Sequence, residues 1–171
     1  MSKSENKLGG SCLKVGDDIN SDVIIPGRYL ISIDPVELAK HAFEPLGEEF
    51  QKKLKTTKVI VAGRNFGCGS AREQAASCLI GGGVQVVVAE SFARVFYRNA
   101  INTGLTIVES PEAVKAVKDG DELYVDTQAG TLETGGKTYS FPPYPESLQH
   151  ILRAGGLIPY VAEKIKQEQS K

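Results

Sequence analysis

The sequence has little of what usually announces a chemistry: no tryptophan, one methionine, two histidines and three cysteines in 171 residues. Cys12, Cys68 and Cys78 cannot all pair within one chain and none belongs to a C-x-x-C unit, so no disulfide framework or zinc ribbon is written here. Three thiolates would in principle hold three irons of a four-iron cluster, but isolated cysteines among apolar and small residues are more often packing groups. Reduced thiols and no metal ligands from this chain are expected. Cys68 stands apart as a thiol among glycines near a helix start, a setting that favours oxidation. No charge of one sign dominates: 20 Lys and Arg face 21 Asp and Glu, a formal net charge of -1, which offers nothing to a nucleic acid or an acidic membrane. The apolar runs are too short to span a bilayer, and Met1-Ser2-Lys3-Ser4-Glu5-Asn6-Lys7 lacks the apolar core of a signal peptide, so a cytoplasmic protein is expected.

What the chain does have is glycine, 18 residues of it, with one cluster at a strand-to-helix junction. Gly63-Arg64-Asn65-Phe66-Gly67-Cys68-Gly69-Ser70-Ala71-Arg72-Glu73 joins the strand-like Val59-Ile60-Val61-Ala62 to a helix-like run from Glu73 to Ile80. Glycines let the backbone take positive φ and approach a ligand closely, and the free N–H groups of a new helix favour negative charge. Ser70 and Arg72 add a hydroxyl and a planar guanidinium, a pairing suited to carboxylate or phosphate. The competing reading of the same residues is a plain tight turn with Ser70 as N-cap.

Familiar phosphate and nucleophile motifs do not fit the spacing. A dinucleotide fingerprint starting at Gly67 and Gly69 needs glycine where Arg72 stands, and no Gly-Lys-Ser or Gly-Lys-Thr closes a P-loop. A nucleophile elbow centred on Ser70 or on Cys68 lacks its flanking glycines.

Size and composition suit one domain, residues 1–171, with residues 1–10 read as a disordered leader and 167–171 as a tail. Ser11 to Val15 reads as a strand, Val23 to Pro26 as an apolar run, and Asp34-Pro35 as the N-cap and first turn of a helix. A second short helix covers Gly47 to Leu54. Val84 to Ala89 is a β-branched run of the kind buried on both faces, Ser91 reads as cap of a helix from Phe92 to Asn102, and Leu105 to Val108 as a further strand. Glu122 to Asp126, Thr131 to Thr134 and Lys137 to Phe141 read as antiparallel strands, followed by helices over Glu146 to Arg153 and Leu157 to Lys166. The expected class is α/β, with a mainly parallel central sheet, flanking helices and a small antiparallel segment. His41 and His150 fall on helix-like segments and read as structural or exposed.

Four motifs in order carry a resemblance. They are Gly16-Asp17-Asp18-Ile19-Asn20-Ser21-Asp22-Val23-Ile24-Ile25-Pro26-Gly27-Arg28-Tyr29-Leu30, Asn65 to Ala75, Ser91-Phe92-Ala93-Arg94-Val95-Phe96-Tyr97-Arg98-Asn99, and Ala154-Gly155-Gly156-Leu157. From Asp17 to about Tyr160 the chain resembles the small subunits of 3-isopropylmalate dehydratases, in the aconitase superfamily. The resemblance implies the swivelling β/β/α domain as a separate polypeptide, with a large subunit as partner that carries a [4Fe-4S] cluster. It implies a hydro-lyase of leucine biosynthesis that moves a hydroxyl between adjacent carbons of an alkylmalate. Self-association of the isolated chain is compatible with this.

Carried over residue by residue, Ser70 matches the family's serine base, Arg72 its carboxylate-binding arginine, and Asp22 an active-site aspartate that orients a partner histidine. From spacing alone Asp22 reads equally well as a turn or capping residue. Gly69 and Ala71 lie beside the substrate in this scheme. Many relatives have serine at position 71, so there one hydrogen bond is lost or comes from backbone. Substrate choice is expected in the loop over residues 27–34, at Leu30, Ile31 and Ser32. Relatives acting on homoaconitate-type acids tend to carry arginine at position 31, whereas isoleucine packs an isopropyl group, each methyl-sized increment contributing roughly 0.8 kcal/mol. 3-Isopropylmalate is the expected substrate, with homoaconitate, citramalate or dimethylmalate as alternatives; a core role is the competing reading of Ile31. A stand-alone module for small anions and an enzyme centred on Cys68 are the rival functional classes.

Overall fold

A computed structural model describes residues 7–170. Seven strands form one sheet in the order β4-β3-β2-β1-β5-β6-β7: β1 (Lys7–Lys14), β2 (Val59–Ala62), β3 (Val86–Ala89), β4 (Thr106–Glu109), β5 (Glu122–Asp126), β6 (Thr131–Thr134) and β7 (Lys137–Ser140). β1 to β4 pair in parallel, and β1 also pairs antiparallel with β5, which continues through β6 to β7. The antiparallel segment is thus a continuation of the central sheet through a shared strand.

Side chains of the parallel strands alternate between two buried clusters, as the two-residue period of a strand requires. Leu13, Ile60, Ala62, Val87, Ala89 and Ile107 face the helical layer, with Ile24, Leu38, Phe43, Leu79, Phe96 and Ala100. Cys12, Val59, Val61, Val86, Val88 and Val108 face the other way and are covered by Val114 together with Leu123, Val125 and Leu132 of the antiparallel strands. The sheet therefore curls over its own second face, and the β/β/α layering expected from the resemblance is present.

The helices are α1 (Ser21–Ile24), α2 (Pro35–Ala39), α3 (Glu48–Leu54), α4 (Glu73–Gly81), α5 (Arg94–Thr103), α6 (Pro111–Ala116), α7 (Glu146–Arg153) and α8 (Leu157–Gln169). The Asp34 carboxylate accepts from the Val36 N–H at 2.9 Å and Pro35 opens α2, as its sequence predicts. α2 crosses α4 where Gly81 has no side chain: a Cβ there would stand 2.0 Å from the Pro35 carbonyl oxygen. Gly81→Ala is therefore expected to destabilise the fold by about 1–3 kcal/mol, read as a lower denaturant midpoint with an unchanged slope.

Three expectations are corrected. Of the presumed leader, residues 1–6 lie outside the described residues, but Lys7–Gly10 are the start of β1, paired with Leu123–Asp126. Gly9 and Gly10 hide this strand from a propensity reading. Their φ angles are +148° and +145°, and a Cβ on Gly9 would stand 2.0 Å from the Leu123 carbonyl oxygen. The apolar run from Val23 to Pro26, which the sequence assigned to no element, contributes Val23 and Ile24 to α1, whose N-cap Asn20 accepts from the Asp22 N–H at 2.8 Å. Ser91 does not cap α5, whose N-cap is Ala93; its hydroxyl accepts from the Asn65 N–H at 2.8 Å instead. The presumed tail is largely helical, since α8 runs on to Gln169. Among the described residues no helix is long and apolar enough to cross a membrane.

Candidate active site

Parallel strands deliver their following loops to one edge of a sheet, the usual ligand edge of α/β proteins. Here the loops after β1, β2 and β3 meet there. Beyond the strands, the Gly63 N–H donates to Gly16 O (3.1 Å), Asp18 N–H to Arg64 O (2.8 Å), Gly67 N–H to Ile19 O (2.8 Å) and Ser21 N–H to Cys68 O (2.7 Å). The third loop joins through Phe66 N–H to Ser91 O (3.0 Å) and Ala93 N–H to Phe66 O (2.9 Å).

Side chains lock the same seam. Asp17 accepts from the Arg64 N–H at 2.8 Å and pairs with its guanidinium at 2.8 Å, and these bonds hold its carboxyl below the usual range. Asn65, in the left-handed region at φ +58°, donates to the Asp18 carboxylate at 2.9 Å. Phe66 is fully buried and packs edge-on against Phe96, with ring centroids 5.1 Å apart. Gly67 turns directly above that ring at φ +81°, and a Cβ on it would stand 2.3 Å from Phe96.

The loop then opens to solvent. Gly69 (φ +91°) passes so close to Asn20 that a Cβ would stand 2.6 Å from its side-chain nitrogen, and Gly69, Ser70 and Ala71 are exposed. The buried Ser21 hydroxyl donates to the Ser70 carbonyl at 2.9 Å, fixing the backbone from which the Ser70 side chain projects. α4 begins with Arg72 as N-cap and has no side-chain cap, so Ser70 is not an N-cap and no side chain satisfies the first N–H groups of the helix.

The Arg72 guanidinium, 20% exposed, pairs with Asp22 through Nη1 and Oδ1. Its other neighbour is Gly27, where a Cβ would stand 3.4 Å from Nη1. Ser70, Arg72 and Asp22 are thus gathered, with the start of the loop over residues 27–34 against the arginine. Within that loop Leu30 is half-buried against the helical core, the Ser32 hydroxyl accepts from the Asp34 N–H at 3.2 Å, and Ile31 is 95% exposed. The exposure of Ile31 removes the competing core reading. Ser21 and Asn20 were missed as site residues because nothing in their spacing shows that they pair with a loop nearly fifty residues away.

The three cysteines do not converge. Cys12 and Cys78 are buried on different core faces, and burial pushes the Cys12 thiol up and the Cys78 thiol to about 12. Among the described residues no group of three His, Cys, Asp or Glu side chains could hold a metal ion. The donors present do not fit an iron–sulfur cluster.

Residues 26–113 match the aconitase C-terminal domain family. The chain is 50% identical over 161 residues to the 3-isopropylmalate dehydratase small subunit of Moorella thermoacetica, covering 93% of this chain and 97% of that protein. It is 46% identical to the 2,3-dimethylmalate dehydratase small subunit of Eubacterium barkeri over 91% of this chain and 96% of the relative. A crystal structure of 3-isopropylmalate dehydratase from Methanocaldococcus jannaschii superposes with a TM-score of 0.87 at 42% identity, over 96% of this chain and 99% of that one. Together with the three-loop site, these matches show that the chain belongs to the aconitase C-terminal domain family, among the small subunits of the 3-isopropylmalate dehydratases.

Proposed function

We propose that this chain supplies the proton-transfer and carboxylate-binding half of a 3-isopropylmalate dehydratase, a hydro-lyase completed by a large subunit. The observation that carries the reading is the junction of Ser70, Arg72 and Asp22 at the uncapped start of α4. An aconitase-family dehydratase works with an iron–sulfur cluster, and since this chain's donors do not fit one, we assign the [4Fe-4S] cluster to the large subunit.

Arg72 binds a substrate carboxylate through its planar fork of donors, with Asp22 holding the guanidinium in place. That fixes the adjacent carbon, whose proton is made acidic by the carboxylate, near Ser70. Ser70 removes this proton, the hydroxyl leaves the neighbouring carbon to give the unsaturated acid, and water adds back in the opposite sense. A serine hydroxyl of ordinary pKa is a poor base. Its alkoxide needs stabilisation, which the uncapped N–H groups of α4 and the dipole of that helix supply. Gly69 and Ala71 flank the base with exposed backbone.

Ile31 offers an apolar tip for the alkyl branch of the substrate and no cation for a third carboxylate. 3-Isopropylmalate is therefore favoured, and 2,3-dimethylmalate, the substrate named for one relative, is the second reading. In the enzyme reconstituted with its large subunit, Ile31→Arg should lower kcat/KM for 3-isopropylmalate about ten- to hundredfold, the value of one buried aliphatic side chain, and raise that for homoaconitate. An unchanged ratio between the two substrates would remove Ile31 from substrate choice.

A further inference from the structure

The loop that bears Ile31 is tied down by one carboxylate outside the site described above. After Pro26 the chain makes a single 3-10 turn, Gly27–Tyr29, whose two large side chains both reach back to Glu44. Arg28 pairs through Nη2 with Oε1 of Glu44, and the Tyr29 hydroxyl donates to Oε2 at 2.7 Å. His41 Nδ1 stands 3.1 Å from the same Oε2, and its ring stacks on Tyr29 with centroids 3.6 Å apart and planes 9° from parallel. The Arg28 guanidinium lies 4.8 Å from the centroid of the Tyr29 ring. The Tyr29 hydrogen bond above all, with His41 and Arg28 behind it, holds the Glu44 carboxyl below its usual range against the opposing effect of desolvation.

The base of this cluster is rigid. Glu44 follows Phe43, which is fully buried, sits in the left-handed region at φ +55° and donates its N–H to Ile24 O at 2.9 Å. A non-glycine residue persists there only when its surroundings over-determine it. Past Tyr29 the support thins: Leu30 N–H reaches Gly27 O and Ser32 N–H reaches Tyr29 O, both at 3.2 Å, and Ile31 projects freely.

We propose that Glu44 is a positioning residue for substrate selection, holding Arg28 and Tyr29, and through them the loop that carries Ile31, in one conformation beside the Arg72 guanidinium. This rests on the reading that Ile31 meets the alkyl branch of the substrate. Glu44 itself touches no substrate; it acts by keeping the loop from having to be ordered at the moment of binding, a cost that otherwise reduces affinity.

The test uses the complex reconstituted with the large subunit, assayed on 3-isopropylmalate and on citramalate, which has a shorter branch. Glu44→Ala is expected to raise KM for 3-isopropylmalate about tenfold, leave kcat within about twofold, and narrow the preference over citramalate. Glu44→Gln, which keeps an acceptor for the Tyr29 hydroxyl, should restore most of that preference. A merely structural role would reduce the amount of active complex and leave KM and the substrate ratio alone. Should Glu44→Ala fail to fold, Tyr29→Phe, lacking only the donor hydroxyl, should shift KM in the same direction with a normal circular dichroism spectrum. If Ile31→Arg changes the substrate ratio while Glu44→Ala and Tyr29→Phe do not, the positioning role is overturned and the reading of Ile31 stands. If Ile31→Arg leaves the ratio unchanged as well, both fall.

Discussion

Replacing Ser70 with alanine should lower kcat of the reconstituted enzyme by about 100- to 10,000-fold, the usual contribution of a positioned general base, with KM nearly unchanged. The split follows from the geometry. Ser70 is exposed at the edge where three loops meet, and its backbone is fixed through the Ser21 hydroxyl at 2.9 Å. Among the described residues its own hydroxyl has no partner, so its removal should cost the fold little and leave Arg72 to bind substrate as before. Steady-state kinetics and an unfolding curve on the same variant separate the two effects. Cys68→Ser is the companion control: Cys68 contributes its carbonyl to the Ser21 N–H, a bond a serine backbone preserves, so much of the activity should remain. Loss of activity in Cys68→Ser with retention in Ser70→Ala would favour cysteine chemistry instead.

Arg72→Lys should lower kcat/KM about ten- to hundredfold, chiefly through KM, although the charge is conserved. A guanidinium can serve Asp22 along one edge and a substrate carboxylate along another, whereas an ammonium is a point charge with a shorter reach. The loss corresponds to one hydrogen bond to a charged group, about 1.5–3 kcal/mol. Because Arg72 is only 20% exposed and abuts Gly27, a lysine there also leaves the loop over residues 27–34 without a wall at its start. Wild-type KM in Arg72→Lys would mean that the substrate carboxylate is held elsewhere.

The regular parts of the fold were legible where local signals agree. Val59–Ala62 is β-branched and apolar, Glu73 follows the last glycine of the turn, and Asp34-Pro35 opens a helix by cap and ring geometry; each element lies where the sequence predicts it. The misreadings fall where tertiary contact overrides propensity. β1 carries Gly9 and Gly10, which pair closely with β5, and Ser91 accepts from the Asn65 N–H instead of capping α5. At the site, residue types alone marked Gly63 to Glu73 as a glycine-rich turn from strand to helix, and the structure has it between β2 and α4. The pairing of Asp22 with Arg72 and of Ser21 with Ser70 was not readable, since both depend on the parallel register of β1 on β2, which brings residues about fifty positions apart into contact. The Glu44 cluster was hidden for a related reason. Its partners at Arg28, Tyr29 and His41 converge only because the chain turns back at Phe43.

The most direct measurement is anaerobic turnover of 3-isopropylmalate, homoaconitate, citrate and citramalate by this chain alone and after co-purification with its native large subunit. The account predicts a colourless, inactive isolated chain and a complex that turns over 3-isopropylmalate most efficiently. A brown, iron-bearing isolated chain, turnover without the large subunit, or a preference of the complex for homoaconitate would contradict it.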